Sequence, residues 1–199
     1  KMLACTIGLL ACQSAHAISI TLGGPIGTFR EATLDSAVSG TGVTGGGNAT
    51  AAIVSGYYAP TTFTEQGSVA PGSGSGIFAA GSLSINVTSG SFGSSVAGGT
   101  WTISDPSFWV NYAVGAISLH VGGGQGSPDH FVWKLTPNTL IGTWSYNGSA
   151  FNGGGLSNLK LYSAGRGTNV PDGGATMALL GLSLLGMTAA RKAMGQSKA

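Results

Sequence analysis

Short alternating runs, each closed by glycine, proline, asparagine or serine, confine this chain to strands. "SLSINVT" at 82–88 shows the rule: Leu83, Ile85 and Val87 point one way while Ser84 and Asn86 point the other. That period of two is the mark of a half-buried strand. "ISITL" at 18–22 alternates in the same way, and "GTWTIS" at 99–104, "FWVNYAVGAISLHV" at 108–121, "HFVWKL" at 130–135, "TLIGTWSY" at 139–146 and "LSNLKLYS" at 156–163 continue the series. Each is rich in β-branched or aromatic residues, as strands require. Glycine makes up 36 of the 199 residues without a collagen-like period, and each glycine inside a helix costs about 1 kcal/mol relative to alanine. A weak helical spacing is present only near Ala32–Val38. Eight or so strands at such spacing predict an all-β fold, an antiparallel β-sandwich or jelly-roll-like domain over residues 18–165. About 145 residues suffice for a core of its own. "SGTGVTGGGNAT" at 39–50 and "APGSGSGIF" at 70–78 are expected as exposed loops or irregular edges.

Charge narrows the partners. Charged residues make up 7% of the chain and the net charge is +2. Lys1, Arg191, Lys192 and Lys198 lie at the two ends, which leaves Arg30, Lys134, Lys160 and Arg166 opposite Glu31, Glu65, Asp35, Asp105 and Asp129. No basic patch is available to meet a phosphate backbone, so nucleic acid is excluded as a partner. Intrinsic disorder is also a poor fit, because it needs low hydrophobicity with high net charge.

Residues 1–17 read as a signal peptide. Lys1 precedes an apolar run from Met2 to Cys12, and Ala15-His16-Ala17 supplies the small-residue pattern read by signal peptidase, with cleavage after Ala17. The chain opens on Lys1, and a start further upstream is expected. A second reading makes Leu9-Leu10-Ala11-Cys12 a lipobox with Cys12 lipidated, and Ala15-His16-Ala17 fits better than it does. Both cysteines, Cys5 and Cys12, fall in this segment, so the mature protein is expected to hold no disulfide, thiolate ligand or cysteine nucleophile.

Little in the middle points to chemistry. "GSGSG" at 72–76 has its serines in the wrong places for a nucleophile elbow, and "GGGQGS" at 122–127 lacks the last glycine of a dinucleotide fingerprint. One concentration of polar groups, "HVGGGQGSPDHF", carries His120, Gln125, Asp129 and His130. Two imidazoles and a carboxylate suit zinc in kind. Their spacing matches no recognised ligand pattern, so a solvated turn is the expectation, with no metal and no cofactor. Trp101, Trp109, Trp133 and Trp144 sit in strand-like runs. On an exposed face they would stack on sugars, and in the core they would pack. Sequons at Asn48, Asn86 and Asn147 are at the level expected by chance for this composition.

The C-terminus is the informative part. Val170-Pro171-Asp172-Gly173-Gly174 is a turn signal. The 18 residues from Gly173 to Ala190 carry no charge. A helix over 175–190 would be about 24 Å long at ~1.5 Å per residue, short for a ~30 Å bilayer core but within reach of local thinning. Arg191 and Lys192 follow at once. By the positive-inside rule they place the tail, 191–199, in the cytoplasm and the β-domain outside.

Motif, apolar run and basic tag in this order resemble the PEP-CTERM sorting domain, here spanning 166–199. Pro171 and Asp172 stand at that family's Pro-Glu positions, and Gly173 replaces its second proline, close to a Val-Pro-Asp-Gly variant. The resemblance implies an exosortase substrate of a Gram-negative bacterium. Such a chain is exported, held transiently in the inner membrane, processed near 170–174, and released or attached at the cell surface. The implied partners are the exosortase, signal peptidase and, by association, exopolysaccharide. The resulting expectation is a non-enzymatic surface or extracellular-matrix protein linked to biofilm. A carbohydrate-binding module delivered by the same route is the alternative, and a secreted hydrolase has least support.

Overall fold

The computed structural model describes residues 17–22, 30–122, 129–148 and 154–166. Its elements are β1 (Ile18–Leu22), β2 (Arg30–Leu34), β3 (Val43–Gly45), α1 (Ala51–Tyr57), β4 (Phe63–Val69), β5 (Gly74–Ala80), β6 (Leu83–Phe92), β7 (Val96–Ile103), α2 (Phe108–Asn111), β8 (Val114–Gly122), β9 (His130–Lys134), β10 (Ile141–Asn147) and β11 (Gly155–Ala164). They form two antiparallel sheets, one of six strands in the order β1-β2-β10-β7-β6-β5 and one of five in the order β3-β9-β8-β11-β4.

One core joins the two sheets. Leu34, Leu83, Ile85, Trp101, Trp144 and Tyr146 of the first meet Ile117, Leu119, Phe131, Trp133, Leu159 and Leu161 of the second, all buried. The alternation along β6 and β10 places every second side chain there. The other face of the first sheet is polar: Thr143, Thr100 and Asn86 lie in cross-strand register, as do Ser19 and Thr33, whose hydroxyls hydrogen-bond at 2.7 Å.

The second sheet is covered on both faces, so β8 is buried almost without interruption. On its outer side Ala116, Val132, Tyr162 and Ala164 pack against Ala49, Val54, Tyr58 and Phe63. The covering segment, 46–63, carries α1 and connects β3 to β4 at opposite edges of the sheet. We call it the strap. Thr50 starts its helix by accepting a hydrogen bond from Ile53 N at 3.3 Å, which satisfies one free donor of the first turn.

Several expectations are corrected here. Residues 108–111 are one helical turn, α2, and the strand begins only at Val114. Asp105 makes that turn by accepting from Ser107 N at 2.8 Å. The weak helical spacing near 32–38 belongs to strand β2 and the turn after it. The glycine-rich stretch 70–78, by contrast, keeps to its expectation of an irregular edge: it holds the start of edge strand β5, where the register shifts and Gly74 and Gly76 adopt φ of +119° and +100°, values open mainly to glycine. No helix among the described residues is long and apolar enough to cross a membrane. The expected transmembrane segment 175–190, the signal segment 1–16 and the motif 170–174 lie outside the described residues.

Candidate functional site: the polar seam under the strap

The β8–β9 pairing places His120 directly opposite His130, so the two imidazoles singled out in the sequence share the outer face of the second sheet. Asp129 precedes His130 at the start of β9, and Gln125 lies outside the described residues.

His130 is fully buried. Its Nδ1 lies 2.8 Å from Gly47 O, and its Nε2 lies 2.8 Å from Tyr57 Oη, which also lies 3.2 Å from Thr44 O. A carbonyl only accepts, so Nδ1 carries a proton and donates to Gly47. The Tyr57 ring is tilted over the imidazole with centroids 5.7 Å apart. Asp129 faces the same loop: Oδ2 accepts from Gly47 N at 2.9 Å, and Oδ1 lies 3.4 Å from Arg30 Nη1. Because Arg30 begins β2, this contact ties the two sheets together at one end.

His120 is half-buried, and its Nδ1 lies 3.2 Å from Asn158 Nδ2. Burial lowers its pKa below the usual imidazole value, with Asp129 opposing that shift and His130 and Lys160 adding to it. The ring is therefore neutral at neutral pH. Lys160 is paired with Glu65 at 3.0 Å.

Two tyrosines fix the rest of the strap. Tyr162 donates to Ala49 O at 2.8 Å and lies 3.3 Å from Ser118 Oγ. Burial pushes its pKa up to about 12, a shift that the Ser118 contact reduces and Glu65 adds to. Tyr58 donates to Thr41 O at 2.5 Å. Burial, then neighbouring Tyr57, raises its pKa. Lys134 Nζ lies over its ring at 4.6 Å.

This arrangement fastens the strap rather than presenting open chemistry. Both nitrogens of His130 and both oxygens of Asp129 are engaged internally. Among the described residues no group of three or more His, Cys, Asp or Glu could hold a metal ion. Trp101, Trp133 and Trp144 are buried, and Trp109 is partly buried with Nε1 donating to Thr139 O at 2.8 Å. An exposed row of tryptophans, on which sugar stacking would rest, is not found among the described residues. The strap was not visible in the sequence. Its signals were Thr50 ahead of an apolar pair and the adjacent Tyr57 and Tyr58.

The described residues form a mostly β fold of two antiparallel sheets, with His130 and Asp129 engaged internally in the seam under the strap. A recognisable sorting motif lies beyond β11. Residues 169–194 match the VPDSG-CTERM motif, a PEP-CTERM-like variant of the exosortase sorting signal. In this chain Gly173 stands at the serine of that motif's name. No curated protein and no solved structure matches the chain. A sorting signal of this kind marks an exported, membrane-transiting precursor processed by an exosortase-type membrane enzyme.

Proposed function

We propose that this chain is a non-enzymatic surface or extracellular-matrix protein, delivered by exosortase-type sorting and associated with exopolysaccharide. The observation that carries the reading is the VPDSG-CTERM motif at 169–194, placed after a β-domain that ends at Ala164. In this reading residues 1–17 direct export and are removed after Ala17, one residue before β1 opens. Val170 to Gly174 mark the processing region, 175–190 hold the precursor in the inner membrane, and Arg191 and Lys192 keep the tail in the cytoplasm. The two sheets then form the delivered sandwich. The engagement of His130 and Asp129 supports its non-enzymatic role, and the burial of Trp101, Trp133 and Trp144 argues against a sugar-stacking face.

The test is a block substitution, Val170→Ala with Pro171→Ala and Asp172→Ala, in a host that carries a matching exosortase. The expected result is accumulation of the longer precursor in the inner-membrane fraction while the unaltered chain reaches the surface. Equal surface delivery of both chains would overturn the proposal.

A further inference from the structure

We infer that β5 is a self-pairing edge: two copies of this chain join antiparallel through it, across a two-fold axis at Ile77, and merge their larger sheets into one. This goes beyond the sorting reading and does not depend on it.

β5 is the last strand of its sheet, so one side of its backbone faces no neighbouring strand. Register decides which groups lie on that side. Ser104 N donates to Ser82 O at 2.9 Å, so Ser82 and Ser84 turn their backbone groups to β7, while Leu83 and Ile85 turn theirs to β5. Those two pair with Ala80 and Phe78. The N–H and C=O groups of Ile77 and Ala79 therefore point out of the sheet, where a further strand can take them.

The other three sheet edges are covered, short or polar. On β4, Gln66 O accepts from Ser82 N at 2.9 Å, and Gly67 lies against Ala80 O beside the β5–β6 turn. β3 has three residues, and its Gly45 O accepts from Asp129 N at 2.8 Å. β1 exposes Ser19 and Thr21. On β5 the usual devices that keep an edge apart are missing: from Gln66 to Ser104 no residue is charged, and β5 contains no proline. Ile77 is 75% exposed on the outer face, in register with Asn86. On the inner face Phe78 is only partly covered, its ring edge-on to Phe92 with centroids 5.8 Å apart.

Self-complementarity commits the occupant to a second copy. An antiparallel pair centred on Ile77 sets Ile77 against Ile77 of the second copy, and each N–H meets the other's C=O. The same register sets Phe78 opposite Gly76, whose missing side chain leaves room for the ring. Two uncharged edges do not repel each other. With no charge to select a foreign strand, the register rests on these contacts, which a like copy supplies. The contact is isologous and closes at two copies. The positive φ of Gly74 and Gly76 breaks the strand at its start, so the paired stretch is short and the dimer is reversible.

The experiment uses the full chain with Cys5→Ser and Cys12→Ser in nonionic detergent, with one cysteine introduced through Ile77→Cys, Val110→Cys or Ile141→Cys. Val110 and Ile141 are 58% and 61% exposed, so oxidant reaches all three positions. Facing residues of an antiparallel hydrogen-bonded pair lie about 5.5 Å apart, within the span of a disulfide. Under mild oxidation the Ile77→Cys chain is expected to form a covalent dimer about tenfold faster than the other two, the factor given by about 1.4 kcal/mol of pairing. Register is read from two more exposed positions, Ser75 and Ala79, which face each other across the axis. A mixture of Ser75→Cys and Ala79→Cys chains should crosslink faster than either chain alone. Equal rates at 77, 110 and 141, as association through another part of the chain would give, would overturn the proposal and leave the sorting reading standing. Faster crosslinking of the Ser75→Cys or Ala79→Cys chain alone than of the mixture would overturn the antiparallel pair.

Discussion

His130→Ala tests what the polar seam does. The imidazole is fully buried and makes two hydrogen bonds, to Gly47 O and with Tyr57 Oη, each at 2.8 Å. A typical internal hydrogen bond contributes about 0.5–1.5 kcal/mol net. Its abandoned partners sit in accessible positions, since Gly47 is exposed and Tyr57 is 36% exposed. Water can satisfy both, which holds the polar loss near 1–2 kcal/mol. Loss of the ring from beneath Tyr57 adds packing energy, for a total of about 2–3 kcal/mol. Equilibrium urea unfolding followed by tryptophan fluorescence reads this as a lower midpoint at unchanged slope. Hydrogen exchange should quicken first at Gly47, Ile53 and Val54, whose amides donate to Asp129, Thr50 Oγ1 and Thr50 O. A loss below about 0.5 kcal/mol, within the range of an ordinary surface substitution, would refute the fastening role.

Three further outcomes follow from the same geometry. Tyr162 is neutral in the fold with a pKa of about 12 and ionises near 10 when unfolded, so its contribution is complete below pH ~10 and is lost as pH rises towards 12. Absorbance titration at 295 nm should show the delayed ionisation, and Tyr162→Phe should cost about 1–3 kcal/mol. His120 has its pKa lowered, mainly by burial; the unfolded chain then binds more protons, and stability falls as pH drops below ~6.5. Urea midpoints between pH 7.5 and 5 should show that slope, and His120→Gln should flatten it. Gly142→Ala would place a methyl 2.7 Å from Trp101 Cζ2, so overpacking should destabilise by about 1–3 kcal/mol in the same unfolding assay.

Strands facing the shared core were legible because burial on one face writes itself as alternation, as in Leu83, Ile85 and Val87. β8 was legible for a different reason. It is covered on both faces, yet its run of β-branched and apolar residues between glycines still has the character of a strand. What escaped was set by tertiary contacts. In α1, "AAIVSGY" contains Gly56 and two β-branched residues and has little helical preference of its own; Thr50 and the burial of Val54 make it a helix. "FWVN" has the aromatic and branched content of a strand, and the Asp105 turn forces it into α2. Near 32–38, Leu34, Ala37 and Val38 imitate helical spacing because a turn follows directly on a strand.

The polar seam was half legible. His120 and His130 were visible as a pair, but the partners of His130 are Gly47 and Tyr57, more than 70 residues away in sequence, and His120 meets Asn158 of β11. Nothing local links them. The sorting signal is the opposite case. It is a linear address, and the match at 169–194 covers the Val-Pro-Asp residues, apolar run and basic pair read from sequence alone.

Export and sorting are the central claim, and mass spectrometry of the mature protein from its native host tests them most directly. The expected result is a surface or extracellular species that begins at Ile18, ends at or near 170–174 and lacks residues 175–199. A surface species that still carries the 175–190 segment would contradict it.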